Sequence, residues 1–433
     1  MIQKRHISNL SNYWIAALFV MFFFIDFVSK TFVNISNVFI HTSVVFKAIF
    51  QLFIIVFALV NYDIKLKKLY FFLFILFLSF IAGNFFSLNN THFIERIINN
   101  FKVFSWYMFP FFIIVGWFYI KKANNFTALT NNLFKAFELV FLINCIFIFI
   151  GLFFDISLFK AYPFGRFGFI GLLRNVSHSS YIFMIFVTYF LIKIKNKPIF
   201  YNYFLLLLSV FVCVVLATKA ILLFLFLLLF FYTIKFSIKT SIAVLLVLSF
   251  IVYLNINNLH YILETYFPVI INVFNNKGLL TMLFSYRNIS LTDCFLPYIS
   301  DNWILLNYFF GGAEFNLFRT ELELFDLFWF FGIFGASLYL YLFNNFFISF
   351  KNIYNVKPLF FIFFISLFAG SFFSSVPVMT FLFVLVVYID RYIPYQKNVK
   401  NFEKSNNLQS IKKLKIKCNA ATTFLIQFGK IFF

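Results

Sequence analysis

Residues 134–154 read FKAFELVFLINCIFIFIGLFF, with Lys135 and Glu138 as the only charges. A run of this length matches the roughly 20 apolar residues a helix needs to cross a bilayer. A soluble helix would show an apolar stripe against a charged face, and a membrane strand would alternate apolar with polar positions. Similar blocks recur at 13–29, 39–60, 69–87, 102–120, 177–192, 201–216, 219–234, 237–254, 325–346, 355–372 and 374–389. Across the 433 residues, 63% are hydrophobic and only 11% charged. The expected fold is an all-α polytopic membrane protein with about 10–12 transmembrane helices and one large extracytoplasmic loop. Residues 1–390 form the membrane domain, 255–324 the large loop within it, and 391–433 a basic cytoplasmic tail.

The net charge of +21 would suggest nucleic acid in a soluble protein, but its placement points to lipid headgroups instead. Lys65, Lys67, Lys68, Lys121, Lys122, Lys193, Lys195 and Lys197 all fall in connections on one side of the predicted spans. The positive-inside rule makes that side cytoplasmic. The tail beyond 390 is therefore expected on the inner side of the cytoplasmic membrane, and the 255–324 loop outside it. No nucleotide is available there, and the chain carries neither a P-loop nor a dinucleotide fingerprint. The first apolar block is followed by more of the same and reads as a retained span. The cysteines at 145, 213, 294 and 418 lack metal-site spacing, so no metal, cofactor or disulfide framework is expected.

Between 255 and 326 lie seven of the 14 acidic residues, at Glu264, Asp293, Asp301, Glu314, Glu321, Glu323 and Asp326. Arg287 and Arg319 share this polar island. If 319–326 is helical, Arg319, Glu323 and Asp326 fall on one face. Carboxylates entering a span need partners or a wet cavity; they can orient sugar hydroxyls and supply a general base, or simply pair the loop to the bundle. Upstream, Gly165-Arg166-Phe167-Gly168 precedes Arg174 and His178. The two arginines are fixed forks suited to phosphate oxygens, or interfacial side chains reaching lipid phosphate. His178 is a proton carrier or a structural hydrogen-bond partner. Lys219, in the short turn Thr218-Lys219-Ala220, suits a diphosphate or an interface anchor. Asp26 and Lys47 are expected to pair, Gly332 and Gly335 to permit close helix contact, and His260 and Glu264 remain reserves for acid–base work.

Taken in order, Gly165-Arg166-Phe167-Gly168, Ala217-Thr218-Lys219-Ala220, Ser285-Tyr286-Arg287-Asn288 and the 309–335 run FFGGAEFNLFRTELELFDLFWFFGIFG carry a resemblance. The chain resembles the Wzy-type O-antigen polymerases of the O-antigen ligase/polymerase superfamily. It departs from that pattern at Gly370-Ser371, where many relatives carry Gly-His. The resemblance implies an inner-membrane glycosyltransferase of O-antigen, lipopolysaccharide or related surface-polysaccharide biosynthesis. Its substrates would be undecaprenyl-diphosphate-linked oligosaccharides, already flipped outward. A flippase and a chain-length regulator would be its partners. Arg166, Arg287, Glu314, Glu323, Asp326 and His178 would then be catalytic, with Arg174, Lys219, Arg319 and Glu321 binding substrate. An O-antigen ligase is the alternative enzyme, and an oligosaccharide flippase or transporter the alternative without chemistry.

Overall fold

The computed structural model describes residues 12–36, 42–86, 93–162, 167–236, 268–315, 319–348 and 356–392. The predicted span at 237–254, the start of the large loop with His260 and Glu264, Arg166, and the tail from 393 onward lie outside these residues. In chain order the main helices are α1 (Trp14–Ser36), α2 (Thr42–Val60), α3 (Lys67–Phe86), α4 (Phe93–Ile120), α5 (Phe126–Phe154), α6 (Val176–Asn196), α7 (Phe200–Leu216) and α8 (Lys219–Phe236). Beyond them come α9 (Pro268–Phe284), α10 (Leu296–Asn302), α11 (Leu305–Phe310), α12 (Glu323–Leu342), α13 (Lys357–Phe368) and α14 over 376–392.

Six helical stretches among the described residues are long and apolar enough to cross a membrane, and four more are apolar but shorter. Among the described residues, β pairing is limited to a single bridge between Lys160 and Phe169. The all-α, multi-spanning architecture read from the sequence is the observed one.

Lipid tails are as apolar as the side chains, so helix association here relies on packing and on small residues at contacts. Aromatic rings supply much of that packing. Phe137, Phe141, Phe186 and Phe381 interlock α5, α6 and α14. Tyr107, Phe331 and Tyr339 do the same for α4 and α12. Edge-to-face and offset geometries of this kind suit the ring quadrupole.

Two of the described helices are broken at a glycine, α9 at Gly278 with φ 82° and ψ 172° and α12 at Gly332. Gly332 in α12 has φ 68° and ψ 178°, outside helical space. The break receives α11 and the turn after it. Gly312 and Ala313 donate their amides to the carbonyls of Phe330 and Trp329 at 3.3 and 3.2 Å. A Cβ on Gly83, Gly311, Gly312 or Gly332 would collide with backbone of the facing segment. Three buried asparagines satisfy the polar groups of this wedge. Asn307 donates to the carbonyls of Gly83 and Gly311 at 3.2 and 2.8 Å. Asn100 donates to Asn84 Oδ1 and to the Ala313 carbonyl, and its own Oδ1 accepts from the Phe315 amide. Irregular backbone among membrane helices is stable only when satisfied in this way.

The polar contacts gather the basic connections at one end. Asp63 pairs with Lys122, whose ammonium holds the Asp63 carboxyl below the usual carboxylate range. Lys121 pairs with Asp390 at 3.3 Å, Asn125 donates to Asn12 Oδ1 at 2.6 Å, and Arg391 donates to Thr130. Lys193 meets Glu138 at 2.5 Å. We call this the basic end. His178 and Lys193 share α6 and are about 22 Å apart along its axis, so the site around His178 lies toward the opposite end.

Candidate functional site

At that opposite end, α1, α2, α4, the start of α6 and two loops enclose a cavity of 540 Å³. Phe22, Phe23 and Asp26 face it from α1, Lys47 from α2, and Lys102 and Trp106 from α4. The chain from Leu172 to His178 forms one wall, and Arg319, Glu321 and the loop from Ser371 to Pro377 form another. The volume falls within the range of roughly 300–1,000 Å³ usual for small-ligand sites.

The two loops cross where Gly370 donates its amide to the Glu321 carbonyl at 2.7 Å. A side chain at Gly370 would collide with the Glu321 backbone. Glu321 and Ser371 both hold left-handed conformations, with φ 54° and 71°. Non-glycine residues occupy that region only where surrounding contacts enforce it. Here the enforcing groups are acidic. Glu323, fully buried, accepts the amides of Phe372 and Phe373 on its two oxygens at 2.9 and 2.8 Å. Asp326 accepts from the Thr320 amide at 2.9 Å and the Thr320 hydroxyl at 2.7 Å, and its other oxygen faces Arg319 Nε at 3.6 Å. Both carboxylates stand in the first turn of α12, where the helix dipole favours negative charge. Removing such a buried acceptor leaves its donors unsatisfied, at about 1–3 kcal/mol each.

This geometry corrects the helical face expected over 319–326. α12 starts at Glu323, behind an extended Leu322. The positive φ of Glu321 folds the chain back, so Arg319 reaches Asp326 across a loop rather than along a helix. Arg319 also donates to Ser371 and Ser374 at 2.5 and 3.2 Å and lies 4.9 Å from the Phe315 ring.

Of the residues singled out in the sequence, Arg174, His178, Arg319 and Glu321 line the cavity together. Arg287 joins them indirectly, donating to Glu321 at 2.8 Å. Glu323 and Asp326 hold the loops, with Asp326 touching Arg319. Lys219 is turned to the Met282 carbonyl and the Ser285 hydroxyl and does not line the cavity. Glu314 is half-buried beside the Asn100 network and forms no ion pair among the described residues. The expected Asp26–Lys47 pair is present at 2.9 Å, on the cavity wall. His178 Nδ1 lies 3.5 Å from the Asn175 side-chain nitrogen, at the limit of hydrogen-bond distance.

Four lysine and serine contributions were not legible beforehand. Lys102 opens a predicted span and reads as an interfacial anchor. Lys30 follows Asp26 by one helical turn, the one signal that a polar face continues along α1. Ser371 and Ser374 gain meaning only once Arg319 is seen to reach them. Among the described residues, no three His, Cys, Asp or Glu side chains gather as metal ligands would.

Fold and cavity together define a multi-pass, all-α membrane protein with a cation-rich chamber among its helices. No family model matches the chain, and neither a curated protein nor a solved structure matches it.

Proposed function

We propose that the protein is a polysaccharide polymerase, joining undecaprenyl-diphosphate-linked oligosaccharide repeats at the periplasmic face of the inner membrane. The observation that carries this reading is the cavity, which brings arginine and lysine side chains, His178 and Glu321 together at the end away from the basic connections. With the basic end cytoplasmic, the cavity opens at the periplasmic headgroup level, where flipped lipid-linked sugars reside. Its size suits a diphosphate and the reacting sugar, leaving the remaining glycan in solvent.

In this reading the acceptor hydroxyl oxygen bonds to the anomeric carbon of the donor sugar. The bond from that carbon to the diphosphate oxygen breaks, and the carrier leaves as its diphosphate. The hydroxyl proton passes to a ring nitrogen of His178, the general base. Arg319, braced by Asp326 and two serines, faces the oxygen on which negative charge develops. Glu321, steadied by Arg287, orients the acceptor hydroxyls. Glu323 and Asp326 act as positioning residues: both Glu323 oxygens hold backbone amides, and Asp326 holds Thr320 through one oxygen and faces Arg319 with the other. A flippase would supply the substrate and a chain-length regulator would set the product.

In cells making the polymer, His178→Gln and Arg287→Ala are each expected to reduce long chains by about 100-fold. Single repeats should then accumulate on the carrier. A wild-type ladder from correctly inserted variants would reject these roles. Long polymer stranded on the carrier lipid would mark the chain as a ligase instead.

A further inference from the structure

We infer that the second half of α9, residues 279–284, is an interfacial helix whose leucine face lies in the acyl-chain layer of the leaflet at the cavity end. Its first half stands among the lipid headgroups. The inference goes beyond the reading above and holds whatever the chamber binds.

Gly278 divides α9 into two unlike halves. Its backbone leaves helical space, and a Cβ there would meet nothing within 4 Å. Before it, Asn272, Asn275, Asn276 and Lys277 are all exposed. After it, Thr281 is the one polar residue as far as Phe284. At helical spacing Leu279, Leu280 and Leu283 share one face, and Thr281 stands on the opposite one. Thr281 is 4% exposed, and its hydroxyl accepts from the Asn288 side-chain amide at 3.1 Å. The three leucines are 54%, 64% and 54% exposed. The polar side chain is turned to the protein and the apolar ones away from it, the reverse of a helix covered by water.

The position of α9 names what meets that face. Lys219, the first residue of α8, donates to the Met282 carbonyl and, at 3.2 Å, to the Ser285 hydroxyl. Phe284 packs on Phe368, the last residue of α13, with ring centres 6.2 Å apart. Tyr232, near the far end of α8, lies 5.9 Å from the ammonium of Lys195 beside the basic end, so Lys219 and α9 stand at the cavity end. Both helices carry exposed apolar stripes at helical spacing, Leu222, Phe226 and Leu229 on α8 and Phe360, Phe364 and Phe368 on α13. In a multi-spanning fold such stripes face acyl chains. Through Phe284 the leucine face continues the α13 stripe past the end of that helix, so the same hydrocarbon covers it. A leucine face beside asparagines and a lysine is the composition of a helix lying in the interface, and the Lys277 stem can extend to the phosphate layer. Ser285 and Tyr286, left-handed at φ 53° and 67°, then turn the chain toward Arg287, which donates to Glu321 on the cavity wall at 2.8 Å. One short turn thus joins the leaflet to the chamber.

The test is spin-label accessibility on the full chain in nanodiscs of phosphatidylethanolamine and phosphatidylglycerol. Cys294→Ser and Cys418→Ser clear the background, since Cys145 and Cys213 are buried. Nitroxides are attached singly at Asn276→Cys, Leu280→Cys, Leu283→Cys and, on the α13 stripe, Phe364→Cys. Power saturation reads collisions with oxygen, which concentrates in hydrocarbon, and with a water-soluble nickel chelate. Labels at 280 and 283 should behave like the label at 364, with nickel collisions about fivefold below those at 276. Nickel collisions at 280 and 283 equal to those at 276 would put the face in water and overturn the inference. Protection from both reagents would overturn it too, with the predicted span at 237–254 or a second copy of the chain as the occupant. If a labelled variant fails to fold, the unlabelled wild type decides. Trypsin cuts after Lys277 and Arg287 and releases residues 278–287 as one peptide. After irradiation with a phospholipid bearing a diazirine in its acyl chain, that peptide should carry the lipid adduct. Its recovery unmodified beside labelled α13 would refute the inference. Neither readout uses a glycan substrate, so the polymerase reading and this one fail independently.

Discussion

Glu323 makes the plainest case for chemistry turned to architecture. Each of its oxygens holds one backbone amide, Phe372 at 2.9 Å and Phe373 at 2.8 Å, in a fully buried setting. Glu323→Ala leaves both amides without acceptors and should cost about 2–6 kcal/mol, read as a lower melting temperature in detergent. Glu323→Gln, which retains one acceptor oxygen, should fall between. A melting temperature unchanged by the alanine would show that the amides find other partners. The sequence pointed to this neighbourhood because charges are rare in the chain and seven of its 14 carboxylates fall between 255 and 326. It could not assign their work. Whether a carboxylate meets a sugar or an amide depends on the left-handed turn at Glu321, which side-chain periodicity does not encode. Lys30 and Lys102 escaped notice for a related reason, since a lone lysine in an apolar run looks like a headgroup anchor until its partners are known.

The break in α12 organises the elements around the site. Gly332 and Gly335 were legible as small residues permitting close helix contact, and a Cβ on Gly335 would indeed stand 3.0 Å from the Ser79 hydroxyl of α3. The break itself was not legible, because the run from Leu327 to Ala336 is apolar on both sides of Gly332 and its pattern carries no trace of a φ of 68° there. Gly332→Ala must carry a side chain in left-handed space, at about 1–2 kcal/mol, and drive its Cβ into the Phe309 backbone. Gly116→Ala is the matched control, since its Cβ would meet only the Ile54 side chain at 3.5 Å. Thermal unfolding should separate them, with Gly332→Ala melting lower and Gly116→Ala close to wild type. Equal melting would mean that the wedge of α11 tolerates displacement and does not set the position of Arg319.

For the whole molecule, spans and charge asymmetry were readable because bilayer thickness and headgroup charge act on composition alone. Helix ends were less so: α13 occupies Lys357–Phe368 within a block expected at 355–372, and the chain turns at 369–375 to form part of the cavity wall. Sidedness can be checked on native thiols. Cys294 is exposed in the segment assigned to the periplasm, whereas Cys145 and Cys213 are buried. An impermeant maleimide added to spheroplasts should modify Cys294 and spare Cys418 in the tail. The reverse pattern would put the cavity in the cytosol. The most direct measurement of the account is polymerisation by the purified protein in liposomes, supplied with lipid-linked repeats but no nucleotide and no ion gradient. The account predicts longer glycans on the carrier lipid from the wild type and none from His178→Gln. Repeats that stay single beside a folded wild-type protein would contradict it.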